Sequence, residues 1–251
     1  MSPSAPAQHR AGLAPARPGL ARLLRDLGPA LERGSRHISP AQPESDALTT
    51  GIPAFDALLG NGLAPGSLAE LSGPPSSGRT SLAWALLARA TRAGELVGLV
   101  DPGDAFHPAS ADALGVQLER VLWARPPGPR EALRCCERLL RARGFALVVL
   151  DATHTQRESA HLWQQQPTAT WQRLTRAASA SGSALLVLSQ QRIAGRFADF
   201  ALTLQPTSTR FGGARPLFEG LEIEAVASRQ RRGPPARPAR VLLSVSSTRG
   251  T

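Results

Sequence analysis

Apolar segments of strand length recur along the middle of the chain, and segments with helical spacing lie between them. The apolar segments are SLAELSG, LVGLVDP, RVLWARP, FALVVLDA and ALLVLSQQ, at 67–73, 96–102, 120–126, 145–152 and 184–191. The intervals predict helices over 79–93, 108–115, 129–143 and 168–181. Continuous apolar strands that alternate with helices indicate an α/β fold, with a mainly parallel central sheet and helices on both faces.

Three more apolar segments follow, joined only by short turns. They are FALTLQPT, GLEIEAVAS and ARVLLSVS, at 200–207, 220–228 and 239–246. Strands connected in this way predict a C-terminal antiparallel extension of the sheet.

Composition divides the chain into an arm, a core and a tail. Residues 1–50 are rich in Pro, Ala and Arg and are not expected to form a core alone, whereas 51–246 carry the strands and helices and 247–251 are a tail. Within the arm, GLARLLRDLGPALERG predicts one amphipathic helix, whose apolar stripe packs either on the protein's own core or on a partner. The stripe consists of Leu20, Leu23, Leu24 and Leu27.

The formal net charge is +10, and every basic residue is arginine. A basic surface favours a polyanionic partner, although a solvated basic face explains the charge equally well. Cys135 and Cys136 are adjacent, which suits neither a disulfide framework nor a metal site. No apolar run reaches membrane-spanning length, and Arg and Pro interrupt the N-terminus too early for a secretory signal. We therefore expect a cytoplasmic protein with no membrane partner.

The stretch GPPSSGRTS matches the pattern of a phosphate-binding loop, with Gly73, Gly78 and Thr80 at the required spacing. Such a loop, placed between a strand and a helix, presents backbone N–H groups to phosphates, and the helix dipole adds attraction. Lysine normally reaches the terminal phosphates, but Arg79 stands at that position, and its larger planar head suits the same cradle less well. The pattern therefore indicates the fold more strongly than it indicates nucleotide chemistry.

Asp151 ends the apolar strand ALVVLD, at a position expected to lie beside this loop. A carboxylate there, together with the hydroxyl of Thr80, is a candidate ligand for Mg²⁺. The alternative role for Asp151 is to cap a helix that follows the strand. The candidate nucleotide-binding residues are Gly73, Ser77, Gly78, Arg79, Thr80, Ser81 and Asp151.

Taken together, these segments resemble the core of the RecA recombinase. The resemblance begins with GIPAFDALLGNGLAPGSLAELSGPPSSGRTSL, continues through LVDPGDAFHPASADALGV, FALVVLDA and LLVLSQQR, and covers roughly 50–246. It implies a RecA-like P-loop core in which a short helix and a Gly-rich turn lead into the first strand. It also implies that Gln190, in LSQQR, is the residue that senses the terminal phosphate.

The departures from RecA concern the catalytic residues. Gly103 stands where the family has the glutamate that activates the attacking water, and loss of a general base costs on the order of 10²–10⁴ in rate. Asp104 is adjacent, but neighbouring residues at a strand end point in different directions, so we do not expect it to replace the base. The aspartate and tyrosine that surround adenine in the family are His107 and Ser110 here. The resemblance therefore predicts a site that requires no cofactor, with binding of ATP and Mg²⁺ left open.

The elements that bind DNA in RecA are also reduced. RecA inserts a long Gly-rich loop after the segment that matches LSQQ, and this chain has only a short turn with Arg192 and Arg196. Arg229-x-Arg231, followed by Arg232, resembles the basic pair that RecA extends toward a neighbour's nucleotide. These arginines are candidate contacts to DNA or to a partner. Few aromatic residues lie among them, so any DNA contact is expected to be to phosphates.

The reduced core and the chain length resemble the shortened RecA-like proteins called ImuA, from bacterial cassettes for damage-induced mutagenesis. This resemblance implies two partners in SOS-type translesion synthesis, a Y-family-like polymerase adaptor and an error-prone DNA polymerase, with RecA as a further candidate. Three hypotheses follow: a non-hydrolysing interaction protein, a DNA-stimulated ATPase in which Arg79 and Asp104 replace lost groups, and a basic DNA-binding module. Gly103 and Ser110 favour the first over the second.

Overall fold

The apolar segments form the strands of one sheet in a computed structural model that describes residues 47–153, 160–212, 217–230 and 238–244. Within these ranges the strands are β1 Leu68–Ser72, β2 Leu96–Val100, β3 Val121–Ala124, β4 Phe145–Asp151, β5 Ala184–Ser189, β6 Phe200–Gly212, β7 Leu217–Gln230 and β8 Ala239–Ser244. Their order across the sheet is β3-β2-β4-β5-β1-β6-β7-β8. All pairings from β3 to β6 are parallel, whereas β7 and β8 pair antiparallel. The predicted parallel sheet with an antiparallel extension is confirmed.

Strands β6 and β7 are longer than the sequence pattern predicts. Residues 205–211 of β6 are exposed to solvent. A strand segment that does not face the core carries no apolar pattern, so its extent cannot be read from the sequence.

The helices are α1 Pro53–Leu58, α2 Arg79–Arg92, α3 Pro108–Ala113, α4 Pro129–Ala142, α5 Ala160–Gln164 and α6 Thr168–Ser181. Helices α1, α3 and α4 begin with proline at a position where its missing N–H is not needed and its fixed φ suits the helix. Helix α6 is followed by Gly182, which has the left-handed conformation common after a helix. In the part of the chain that the structure describes, none of the helices has the length and apolar character required to cross a membrane.

Apolar side chains cover both faces of the sheet. On one face, Phe55 of α1 and Leu86 of α2 belong to a cluster with sheet residues such as Leu186. On the other face, Leu133 of α4 and Leu174 of α6 pack in a second cluster. The helices therefore lie on both sides of the sheet, as predicted. Contacts with the core extend back to the end of the arm, where a backbone bridge joins Leu48 to Leu63.

Candidate functional site

The residues predicted to form the site come from neighbouring parallel strands. Strands β2, β4, β5 and β1 are adjacent and parallel, so their carboxyl ends meet at one edge of the sheet. The phosphate-loop segment follows β1, Asp101 follows β2, Asp151 ends β4 and Gln190 follows β5. The fold thus brings the predicted nucleotide-binding residues together at this edge.

The glycines at the two ends of the loop after β1 have distinct backbone environments. Gly78 has φ 84° and precedes α2, and the N–H of Gly73 donates to the Ser189 carbonyl at 3.3 Å. A Cβ added at Gly73 would lie 2.3 Å from the Leu204 carbonyl oxygen, and one at Gly78 would lie 2.5 Å from Leu243 Cδ1. A side chain at Gly73 would collide with the backbone of β6, and the φ of Gly78 is one that other residues rarely adopt, so both positions favour glycine.

Arg79 is buried inside the loop, with 6% of its surface exposed. Its guanidinium donates to the carbonyl of Ser189 and, at 3.2 Å, to the carbonyl of Pro74. Burial lowers the pKa of Arg79 from its ordinary value, and the nearby carboxylate of Asp151 opposes that shift. The cation that replaces the usual lysine thus connects the start of α2 to the loop and to the end of β5.

Asp151 is 8% exposed, and its carboxylate is bonded to the turn that follows β4. Its Oδ1 accepts a hydrogen bond at 2.9 Å from the Thr153 N–H and a second from the Thr153 hydroxyl. The side-chain amide of Gln190 donates to the Thr153 carbonyl at 3.1 Å. Thr80 and Asp151 line a common cavity of about 30 Å³, far below the roughly 300 Å³ of a small ligand pocket.

A RecA-like core implies ATP and Mg²⁺ as ligands, and the side chains present fit them poorly. Arg79 is held by two carbonyl oxygens, Oδ1 of Asp151 is held by Thr153, and Gly103 has no side chain. No group of three or more His, Cys, Asp or Glu residues within the described ranges could hold a metal ion. The loop backbone and the buried Ser77 hydroxyl, which has no hydrogen-bond partner among the described residues, remain for a phosphate. The Thr80 hydroxyl and the second carboxylate oxygen of Asp151 line a common cavity and remain for Mg²⁺.

The residues around Gly103 are engaged elsewhere. Asp104 is exposed and pairs with Arg125 at 3.2 Å, so its carboxylate is directed at a neighbouring strand end. His107 Nδ1 lies 2.8 Å from the Ser110 hydroxyl and caps the start of α3. Both positions that the family uses for adenine therefore stabilise a helix end in this chain.

Asp101 is a buried acid that the sequence reasoning passed over. It is 1% exposed, and its Oδ2 accepts from the Phe106 N–H at 2.9 Å and from the Trp123 indole at 3.2 Å. Its Oδ1 is buried without a hydrogen-bond partner among the described residues. The available signal was an acidic residue at the end of an apolar strand, the same signal that identified Asp151.

Glu70 is a second residue that the sequence reasoning missed. This fully buried carboxylate of β1 accepts hydrogen bonds from the N–H groups of Ile193 and Ala194 and from the Ser189 hydroxyl. Arg192 Nε lies 3.8 Å from its other oxygen. Burial raises the pKa of Glu70, and the backbone hydrogen bonds and Arg192 oppose that shift. Glu70 thus holds the turn after β5, and the signal for it was a lone charge inside the strand LAELS.

The turn after β5 brings three of the predicted basic residues together. Arg196 is exposed and lies over the Phe197 ring at 5.3 Å, and Arg229 Nε donates to the Ala198 carbonyl at 2.7 Å. Arg196 and Arg229 line two adjacent surface depressions of about 410 and 400 Å³, and Arg192 lines the second. The remaining predicted contacts lie outside the described residues: Arg231, Arg232, Leu20, Leu23, Leu24 and Leu27.

A glycine-rich loop of this spacing, between a strand of a parallel sheet and a helix, indicates a P-loop protein. The RecA N-terminal domain family matches residues 34–165, just over half of the chain, and the chain belongs to this family. It is 38% identical over 107 residues to RecA of Rubrobacter xylanophilus, which is 42% of this chain and 31% of that protein. It is 35% identical over 108 residues to RecA of Rhodopirellula baltica, which is 43% of this chain and 29% of that protein. The match thus spans about a third of these curated relatives.

The fold is also similar to that of a solved recombinase structure. The crystal structure of the RadB recombinase matches with a TM-score of 0.59 at 24% identity, and the match covers 77% of this chain and 94% of that chain. This likeness confirms the RecA-like fold predicted from the sequence.

Proposed function

We propose that this protein is a RecA-like accessory protein of SOS-type translesion DNA synthesis, which does not hydrolyse ATP and acts by binding other proteins. The observation that supports this proposal best is the buried guanidinium of Arg79, bonded to the Ser189 and Pro74 carbonyls. In phosphoryl transfer the loop cation must meet the phosphates and stabilise the charge that develops there. Gly103, and Asp104 directed at Arg125, agree with loss of the catalytic base.

The proposed partners are a Y-family-like polymerase adaptor, an error-prone DNA polymerase and RecA. Membership of the RecA N-terminal domain family supports RecA as a partner, since related cores share surfaces that pack in a head-to-tail assembly. Such heterologous assemblies extend only when each unit presents both faces intact. A protomer without nucleotide chemistry therefore ends a filament and favours lesion bypass over strand exchange.

Calorimetric titration with a non-hydrolysable ATP analogue and Mg²⁺ tests the nucleotide part of this proposal. A steady-state hydrolysis assay with single-stranded DNA accompanies it, with Arg79→Ala as the background control. We expect no turnover above that control. DNA-stimulated turnover by the unaltered protein would reject the interaction-protein proposal and favour an ATPase of the RecA family.

Strand exchange by RecA tests the partnership. We expect substoichiometric amounts of the protein to slow exchange, and removal of residues 1–45 to abolish the effect. Normal exchange together with no RecA complex in a pull-down would leave the polymerase adaptor as the partner to pursue.

A second candidate function is contact with the DNA backbone. The observation that favours it is the cluster of Arg192, Arg196 and Arg229 around two open depressions. Such contacts are made to phosphates and depend strongly on salt. This activity is compatible with the accessory role.

A further inference from the structure

Helices α4 and α6 pack side by side and leave a groove of about 480 Å³ on the surface of the protein. Its exposed apolar lining comes from Ala177 and Ala180 on α6, and Leu140 of α4, which is fully buried, forms part of the floor. The two alanines are small, so a third chain lying in the groove approaches the helix backbone closely. The arginines of the lining are Arg141, Arg143, Arg173 and Arg176.

The charge of this groove is only partly neutralised. Arg141 and Arg173 share one carboxylate, that of Glu137, at 2.7 and 3.4 Å. Arg143 and Arg176 are exposed, and neither forms an ion pair with a described residue. The groove therefore combines an apolar lining with a surplus of guanidinium groups.

The backbone of Arg143 gives an independent reason to assign a role to this surface. It has φ 59° and ψ 174° just after α4, a conformation that glycine adopts readily and other residues avoid. Residues held in such conformations cluster at functional sites. The strain falls on an arginine whose side chain lines the groove.

We infer that the groove between α4 and α6 binds an acidic amphipathic helix of a partner protein. Guanidinium groups pair well with carboxylates, and the apolar face of such a helix buries itself against the two alanines. A nucleic-acid backbone satisfies the arginines equally well but has no apolar face for the lining. The inference rests on the proposed function, in which the protein works through protein partners, but it does not depend on the nucleotide site.

Selection from a displayed library of short helical peptides tests this inference with the full-length protein at physiological salt. The enriched peptides are then compared on the unaltered protein and on the double variant Arg173→Glu/Arg176→Glu. The enriched peptides should carry acidic residues on one face and apolar residues at helical spacing on the other. Their affinity, measured by fluorescence anisotropy, should fall about tenfold or more in the double variant, because like charges then face each other. Arg134→Glu is the matched control, since this exposed residue of α4 does not line the groove.

Two further variants separate binding from folding. Glu137→Gln should tighten peptide binding about two- to fivefold, because Arg141 and Arg173 then lose their internal competitor. Arg143→Gly should weaken binding and yet raise the melting temperature, because glycine relieves the backbone strain. General damage to the fold produces neither pattern.

Several outcomes would overturn the inference. Enriched peptides that are basic or uncharged, or that bind the double variant as tightly, place the binding site elsewhere. A single-stranded oligothymidine that displaces the peptides assigns the groove to nucleic acid. Arg176 connects the two surfaces, because it also lines the depression beside Arg196 and Arg229. ATP hydrolysis would reject the proposed function and leave the groove assignment standing.

Discussion

Replacing Arg79 with alanine should destabilise the folded protein even when no nucleotide is added. The side chain is 6% exposed and donates hydrogen bonds to the carbonyls of Ser189 and Pro74. Alanine leaves both acceptors without this donor and removes the cation next to Asp151. In a loop whose cation served only a nucleotide, the same substitution would have little effect on the free energy of unfolding.

The size of the effect follows from these contacts. A hydrogen bond to a charged group contributes about 1.5–3 kcal/mol, and an acceptor left unsatisfied in the interior adds a desolvation penalty. The carbonyl of Pro74 is on a half-buried residue and regains water in part, whereas Ser189 is buried. We therefore expect a loss of about 3 kcal/mol, which lowers the melting temperature by roughly 6–12 °C in a chain of this size.

Urea denaturation followed by circular dichroism measures this loss. Arg89→Ala is the matched control, because Arg89 is an exposed residue of the same helix and should change stability by less than about 0.5 kcal/mol. Arg79→Lys should be intermediate, since an ammonium cannot reproduce the planar fork that reaches two carbonyls. If Arg79→Ala is as stable as the unaltered protein while ATP raises the melting temperature of the latter, the reasoning about Arg79 is wrong.

Three other predictions concern the neighbouring elements. Because the pKa of Glu70 is raised in the folded state, the free energy of unfolding should fall as the pH rises from about 4.5 through that pKa. Glu70→Gln should flatten this decline, measured as the urea midpoint at each pH. An unchanged profile would exclude Glu70 as its source. Arg196→Ala and Arg229→Ala should each lower the slope of log affinity against log salt for single-stranded DNA by about 0.7, and unchanged slopes would place DNA elsewhere. Gly78→Ala should cost about 1–2 kcal/mol from its φ of 84°, because the nearby Leu243 Cδ1 is the end of a flexible side chain that can turn away. Gly94→Ala, at φ 87° with open space around it, should cost about the same, and a much larger loss at Gly78 would mean that Leu243 cannot move aside.

The parallel sheet was predictable because its strands are buried on both faces. Such strands are continuous apolar runs, and helical spacing between them leaves few other architectures. The phosphate-loop pattern likewise depends on glycines at fixed local spacing. The exposed part of the β6–β7 hairpin lacks any such pattern, which is why its length was underestimated.

The position of the Arg79 side chain was not predictable from the loop sequence. Its main acceptor, the Ser189 carbonyl, is 110 residues away along the chain. The pattern gives the local backbone of the loop, but the direction of a long side chain depends on which distant strand lies beside it. The same holds for Glu70, whose partners Ile193 and Ala194 become neighbours only when β1 and β5 pair.

Ser189 and Glu70 join the phosphate-loop segment and the basic turn in one hydrogen-bond network. The Ser189 carbonyl accepts from Gly73 and Arg79, and its hydroxyl donates to Glu70, which holds the amides of Ile193 and Ala194. Loss of Arg79 should therefore loosen the turn as well as the loop.

Hydrogen exchange of Arg79→Ala tests this connection. The amides of Ile193 and Ala194 should exchange faster by a larger factor than the amides of β3, which lies at the far edge of the sheet and reports the global change. Coupling between the loop and the turn requires that one perturbation shift both. If the amides of the turn and of β3 accelerate by the same factor, the variant lowers stability uniformly. The loop and the basic turn would then be independent parts of the site, despite the hydrogen bonds between them.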